Sequence, residues 1–125
     1  MRTNYIYSVF AFIVLSLCAQ ASFAAQTIGC GGIYNGFNVE LDPMGFPVKA
    51  IVSSGYSTYR LDDCQSPRQN VFVCKSSVQW SQPRMVETRQ VSVTMNGPRG
   101  VGVFTQSYQP DVYNISAKTQ FNDCK

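Results

Sequence analysis

Polar and apolar residues alternate along much of the chain beyond its first third. Apolar side chains take every second position, with polar ones between them, in three segments: 37–41, 91–95 and 113–121. Such alternation is typical of a β-strand that buries one face. Shorter β-rich segments lie at 48–52, 56–61, 71–76 and 101–108. The pattern predicts an all-β domain.

Turn-forming residues separate these segments. Asp42-Pro43-Met44-Gly45 and the segment 96–100 are rich in Pro, Gly and Asn, which are the residues of tight turns. Gly-rich residues 26–32 are predicted to form a loop held by Cys30. We therefore expect a small antiparallel barrel or sandwich of seven or eight strands, connected mainly as a meander because neighbouring strands usually pair.

The N-terminus has the three parts of a secretory signal peptide. Arg2 gives it a positive start, residues 9–18 form an apolar run, and small residues follow around Ala24. A retained membrane anchor is the alternative, but the run is shorter than the roughly 20 residues that span a bilayer. We predict a signal at 1–24, a single all-β domain at 25–125, and a secreted or periplasmic location without a membrane span.

Cysteine content supports the same compartment. Loss of the signal removes Cys18 and leaves Cys30, Cys64, Cys74 and Cys124. An even number in a short exported chain indicates two disulfides. Cys64–Cys74 as a local bridge with Cys30–Cys124 across the domain is favoured, and Cys30–Cys64 with Cys74–Cys124 remains the alternative.

Several function classes are disfavoured by composition. The chain contains no His, the commonest general base, and no recognisable catalytic motif, so we expect no enzyme. The cysteines lack the C-x-x-C spacing of zinc sites, and no cofactor motif is present. Net charge is only +3, without a Lys/Arg cluster, so nucleic acid is not an expected partner.

The dipeptide Pro-Arg occurs three times, at Pro67-Arg68, Pro83-Arg84 and Pro98-Arg99. If each unit is one strand and one turn, Arg68 and Arg99 share one end of the sheet and Arg84 lies at the other. Pro67 and Arg68 also fall inside the predicted Cys64–Cys74 bridge. Such a bridge would hold an extended loop in one shape, and rigid loops lose less entropy on binding. Arg68, Pro67 and Arg99 are therefore candidate partner-binding residues. The alternative is that the bridge only stabilises a hairpin between two strands and has no binding role.

Two further residues are candidates for surface roles. Trp80, the single Trp, is predicted to lie in a loop, where it would contact a partner or cover one end of the domain. Asn114-Ile115-Ser116 matches the glycosylation sequon, which matters in a eukaryotic source. The expected function is an exported binding protein, such as an inhibitor of a secreted or cell-wall-directed enzyme, whose partner is another protein. A structural or cell-surface interaction protein, or an effector acting on a host, is the alternative.

Overall fold

The computed structural model describes residues 26–125, so the predicted signal at 1–24, including Cys18, lies outside the described residues. Nine strands form in this range: β1 Gln26–Gly31, β2 Asn35–Leu41, β3 Pro47–Ser54, β4 Ser57–Leu61, β5 Asp63–Arg68, β6 Val71–Ser81, β7 Arg84–Asn96, β8 Arg99–Gln109 and β9 Ala117–Cys124. The all-β prediction is confirmed, with nine strands instead of seven or eight.

The strands form two antiparallel sheets. β1–β4 make a four-stranded sheet and β5–β9 a five-stranded sheet, each in chain order, which confirms the predicted meander. The chain passes between the sheets at Asp62, the single residue between β4 and β5. At the opposite edges, Gly29 and Lys125 exchange two backbone hydrogen bonds of 3.0 Å. This local contact is not a continuous ladder, so the described residues form two sheets and not a closed barrel.

Both predicted disulfides are present. Cys64 and Cys74 are opposite residues of β5 and β6 and form a bridge within one sheet. Cys30 and Cys124 join β1 to β9, and therefore the first strand to the last and one sheet to the other. The favoured pairing is confirmed, and the alternative through Cys30–Cys64 is wrong.

The core lies between the inner faces of the two sheets. Most strands contribute alternate residues to it, as period two requires. The four-stranded sheet buries Val39, Ala50, Val52 and Leu61, and the five-stranded sheet buries Phe72, Cys74, Val91, Val93 and Phe104. β6, β7 and β8 continue beyond this core, because they have 11 to 13 residues against 5 to 8 in β2, β3 and β4.

Two segments differ from their sequence-based predictions. Residues 26–32 were expected to form a loop, but all six residues of β1 pair with β2, because this pairing and the Cys30 bridge outweigh the low strand preference of glycine. The predicted strand 113–121 begins only at Ala117. Asn114 has a φ of 54°, which is incompatible with an extended strand.

Gly102 provides a test of the core packing. A Cβ at this position would lie 2.7 Å from Phe37 Cζ and 2.8 Å from the sulfur atoms of Cys30 and Cys124. We therefore expect Gly102→Ala to lower the free energy of unfolding by about 1–3 kcal/mol, the usual cost of overpacking. Urea denaturation measures the change. Gly32→Ala is the control, because a Cβ there meets no atom within 4 Å, and equal losses in the two variants would contradict the prediction.

Candidate functional site

The antiparallel meander gives the sandwich two chemically different ends. The β2–β3, β5–β6 and β7–β8 turns lie at one end of the sandwich, together with Gln26 and Lys125. A shallow depression at this end is lined by Gln26, Lys125 and one residue from each of the β5–β6 and β7–β8 turns. Leu41, which precedes the β2–β3 turn, lines it as well. We call this the basic end, after its exposed residues Arg68, Arg99 and Lys125. The β1–β2, β3–β4 and β6–β7 turns and the β8–β9 loop lie at the opposite end.

The structure places Arg68 and Arg99 at the same end and Arg84 at the other, as the Pro-Arg spacing predicts. Arg68 is on β5 and Arg99 on β8, three strand positions apart in the sheet. With a strand spacing of about 4.8 Å, the two backbones are about 14 Å apart. The two arginines therefore share a surface but do not converge on one small site.

Arg68 lies at the end of a tightly held hairpin. The segment between Cys64 and Cys74 is β5, a two-residue turn at Gln69 and Asn70, and β6, so the bridge closes a hairpin between two strands and not an extended loop. The Ser66 hydroxyl lies 2.9 Å from the Arg68 carbonyl oxygen and 2.8 Å from that of Val71. A backbone hydrogen bond of 2.8 Å from Met95 to Asn70 joins the turn to β7.

Pro67 occupies a position that fits its chemistry. It lies on the edge strand β5, where the pairing with β6 shifts register between Gln65 and Arg68. A proline lacks the N–H that a ladder needs, so edges and bulges are where sheets accept it. The bulge, the bridge and the Ser66 hydroxyl together fix the backbone that carries the exposed Arg68.

The free positive charge of the domain lies at its ends. Four Lys and Arg side chains form ion pairs with carboxylates: Lys49–Glu40, Arg60–Asp62, Lys75–Asp63 and Arg89–Glu87. Between residues 26 and 125, the remaining five have no such partner: Arg68, Arg84, Arg99, Lys118 and Lys125. At the basic end, Asp42 and Asp123 already accept backbone hydrogen bonds from Met44 and Phe46, and from Gly31.

Trp80 lies at the other end, and in β6 instead of the predicted loop. Its strand continues to Ser81, because residues 76–81 pair fully with β7. The indole N–H donates a hydrogen bond of 3.1 Å to Glu87 Oε1. Trp80 is therefore both partly exposed and fixed in orientation, and it is not part of the surface around Arg68.

Glu87 is the buried centre of a polar cluster that the sequence reasoning did not identify. Its side chain is 1% exposed, and it accepts hydrogen bonds from Trp80, Arg89 and Gln106. The Arg89 guanidinium also lies 3.9 Å from the centre of the Tyr59 ring, which belongs to the other sheet. The sequence signal that could have placed Glu87 inside is the alternation of β7, since one face of this strand carries Met85, Glu87, Arg89 and Val91.

The Glu87 carboxyl stays ionised within the cluster, where Arg89 balances its charge. Burial would raise the pKa of this carboxyl, but hydrogen bonds from Gln106 and Arg89, the charge of Arg89 and the bond from Trp80 outweigh it and lower the pKa. Burial and the charge of Glu87 raise the pKa of the nearby Tyr108. A buried carboxylate with a lowered pKa is a poor proton donor at neutral pH, so its chemistry is that of a structural ion.

Asn114, the sequon residue, is exposed in the β8–β9 loop. The carboxylate of Asp111 holds this loop by accepting hydrogen bonds of 3.0 Å and 3.1 Å from the backbones of Ile115 and Ser116. The Ser116 hydroxyl in turn accepts a bond of 3.1 Å from the backbone of Tyr108. The sequon is therefore part of a structured loop at the end opposite to Arg68.

The described residues show neither a metal-binding cluster nor a membrane-spanning helix. Among residues 26–125, Cys, Asp and Glu side chains form no group of three or more that is placed to hold a metal ion. The same stretch contains no helix with the length and apolar character needed to cross a bilayer.

No protein-family model matches the chain, and comparisons with curated proteins and with solved structures find no match.

Proposed function

We propose that the protein is an exported, non-enzymatic binding protein that inhibits a secreted or cell-wall-directed enzyme through its basic end. The observation that carries this proposal is the exposed Arg68 on a hairpin held by the Cys64–Cys74 bridge, the Ser66 hydroxyl and the Met95–Asn70 hydrogen bond. A binding residue on a fixed backbone loses little conformational entropy when a complex forms.

The charge of this end indicates the kind of enzyme. Arg68, Arg99 and Lys125 supply three positive side chains, against the two neighbouring carboxylates of Asp42 and Asp123, which also accept backbone hydrogen bonds. An acidic cleft is the complementary surface. Most glycoside hydrolases, a class that includes cell-wall lytic enzymes, carry two carboxyl groups in the cleft. A guanidinium can bind one of these carboxylates through two hydrogen bonds and so block the substrate.

The proposed location is the periplasm or the extracellular space. The two disulfides are consistent with an oxidising compartment, and the signal-like residues 1–24 supply a route to it. An enzyme that acts on cell walls or in the surroundings of the cell is reached from the same compartment. The location and the kind of target therefore support each other.

The test is a comparison of two arginines in the same dipeptide context. We expect Arg68→Glu to weaken inhibition of a cell-wall glycoside hydrolase at least about thirtyfold, since breaking a buried interfacial charge pair costs about 2 kcal/mol or more. Arg84→Glu is the matched control, because Arg84 also follows a proline and is exposed at the opposite end. Inhibition constants measured on a panel of lytic enzymes and trypsin-like proteases give the result.

Three outcomes would reject the proposal. One is the absence of inhibition across the panel. Another is equal inhibition by the wild type and the Arg68→Glu variant, which would favour a contact through a sheet edge. The third applies to the protease version alone: if trypsin-like enzymes cleave after Arg68 and release the protein, the hairpin is a substrate.

A further inference from the structure

Exposed apolar side chains are concentrated at the end opposite to Arg68. They belong to three different connections and to the end of β6: Ile33, Tyr34, Tyr56, Trp80, Val112, Tyr113 and Ile115. We call this the aromatic end. Their exposed fractions begin at 41% for Trp80, and Tyr56 is fully exposed. The indole N–H of Trp80 faces Glu87, so the exposed part of its ring is hydrocarbon.

The backbone that carries these side chains is held in place. The β1–β2 and β3–β4 turns are joined by a hydrogen bond of 2.7 Å from the backbone N–H of Gly55 to the carbonyl oxygen of Tyr34. The β8–β9 loop is held by Asp111, whose pKa is lowered mainly by the hydrogen bond from the Ile115 backbone. The apolar side chains are therefore presented to solvent by ordered turns.

Cations outnumber anions at the aromatic end. Arg84, at the start of β7, and Lys118, two residues after the β8–β9 loop, are exposed and have no carboxylate partner in the described range. Asp111 is the acidic residue of this end, and both of its oxygens accept backbone hydrogen bonds. Exposed apolar side chains beside two cations complement a partner with an apolar interior and a negatively charged surface.

We propose that the aromatic end docks on the surface of a bilayer that contains anionic lipid. Tyr and Trp prefer the boundary between hydrocarbon and water, because each has an apolar ring and a polar group. A fluid bilayer accepts separate protruding side chains without a complementary cavity, whereas a protein partner would need one for each turn. Binding strength then follows the apolar area immersed and the attraction of Arg84 and Lys118 to anionic headgroups.

The single Trp makes a direct test available, since all indole fluorescence comes from Trp80. The exported protein is mixed with vesicles of phosphatidylcholine alone, or with about one third phosphatidylglycerol, which adds the surface charge that attracts cations. We expect a shift of Trp80 emission to shorter wavelength and co-sedimentation with the anionic vesicles. The double variant Tyr34→Ser/Tyr56→Ser should bind roughly tenfold more weakly, because binding scales with the apolar area immersed.

The matched control is Met44→Ser/Phe46→Ser, which removes two exposed apolar side chains from the basic end. It should bind anionic vesicles as the wild type does, within about twofold if only the aromatic end is immersed. The proposal is overturned if the wild type does not bind anionic vesicles, or if the control loses as much affinity as the tyrosine variant. It is also overturned if a protein binds through the aromatic end while vesicles do not.

Discussion

Replacing Cys30 and Cys124 together by Ala is expected to lower the free energy of unfolding by about 4–5 kcal/mol, the largest effect of any change considered in this protein. The bridge closes 94 residues of chain, from the first described strand to the last. In the chain-entropy model, a long closed loop removes more conformations from the unfolded chain than a short one. The bridge also fastens the two sheets to each other beside Gly102.

The other bridge is the internal comparison. Cys64 and Cys74 are 10 residues apart, so the same model predicts that Cys64→Ala/Cys74→Ala costs about 2 kcal/mol less. Urea denaturation of the two double variants, each with its remaining bridge oxidised, measures both losses. If loss of Cys64–Cys74 costs as much as loss of Cys30–Cys124, the entropic account of these bridges is wrong.

Glu87→Ala is expected to lower the free energy of unfolding by about 3 kcal/mol or more, because it leaves the guanidinium of a buried ion pair without its partner. Trp80 Nε1 and Gln106 Nε2 would lose their acceptors as well. Asp62→Ala is the control, because it breaks the Arg60–Asp62 pair, in which both side chains are 62% exposed. Exposed pairs contribute about 0–1 kcal/mol. Similar losses in both variants would contradict a structural role for the cluster.

The lowered pKa of Glu87 adds a dependence on pH. The folded pKa lies below the unfolded value, so folding is favoured by the ionised form. This contribution is fully present above the unfolded pKa of about 4.3 and is lost as the pH falls through the folded pKa. The difference in unfolding free energy between wild type and Glu87→Gln should therefore be largest at neutral pH and should shrink in acid. A difference that grows in acid would contradict this sign.

The strands could be predicted from the sequence where one face is buried and the other is exposed. β2 and the second half of β7 bury alternate residues on one face, so their period-two pattern identifies them directly, whereas β3 and β8 were predicted from shorter β-rich segments. The pairing of the cysteines was favoured from their spacing and from the expectation that the chain ends meet, but the sequence left a second pairing open. β1 was missed because its identity comes from pairing with β2 and from the Cys30 bridge, which no local pattern in a Gly-rich segment reveals.

The sites were harder to predict, because they depend on contacts between distant residues. β7 was read only from Val91 onward, since Glu87 and Arg89 look like solvent-exposed charges in a strand pattern. Their inward position follows from hydrogen bonds to Trp80 and Gln106, which are 7 and 19 residues away from Glu87. Residues 113–116 alternate like a strand, but hydrogen bonds to the Asp111 carboxylate hold them in the β8–β9 loop. A local pattern cannot reveal these bonds.

Site-specific photo-crosslinking in the source cells tests most directly whether the basic end contacts an enzyme. Gln69 and Gln82 are exposed residues of the β5–β6 and β6–β7 turns, at opposite ends of the sandwich. A photoreactive residue is placed at each position in turn, which leaves Arg68 intact. We predict a covalent adduct with a secreted or cell-wall-directed enzyme from position 69 and not from position 82. No enzyme adduct at position 69, or an adduct from position 82 alone, would contradict the claim.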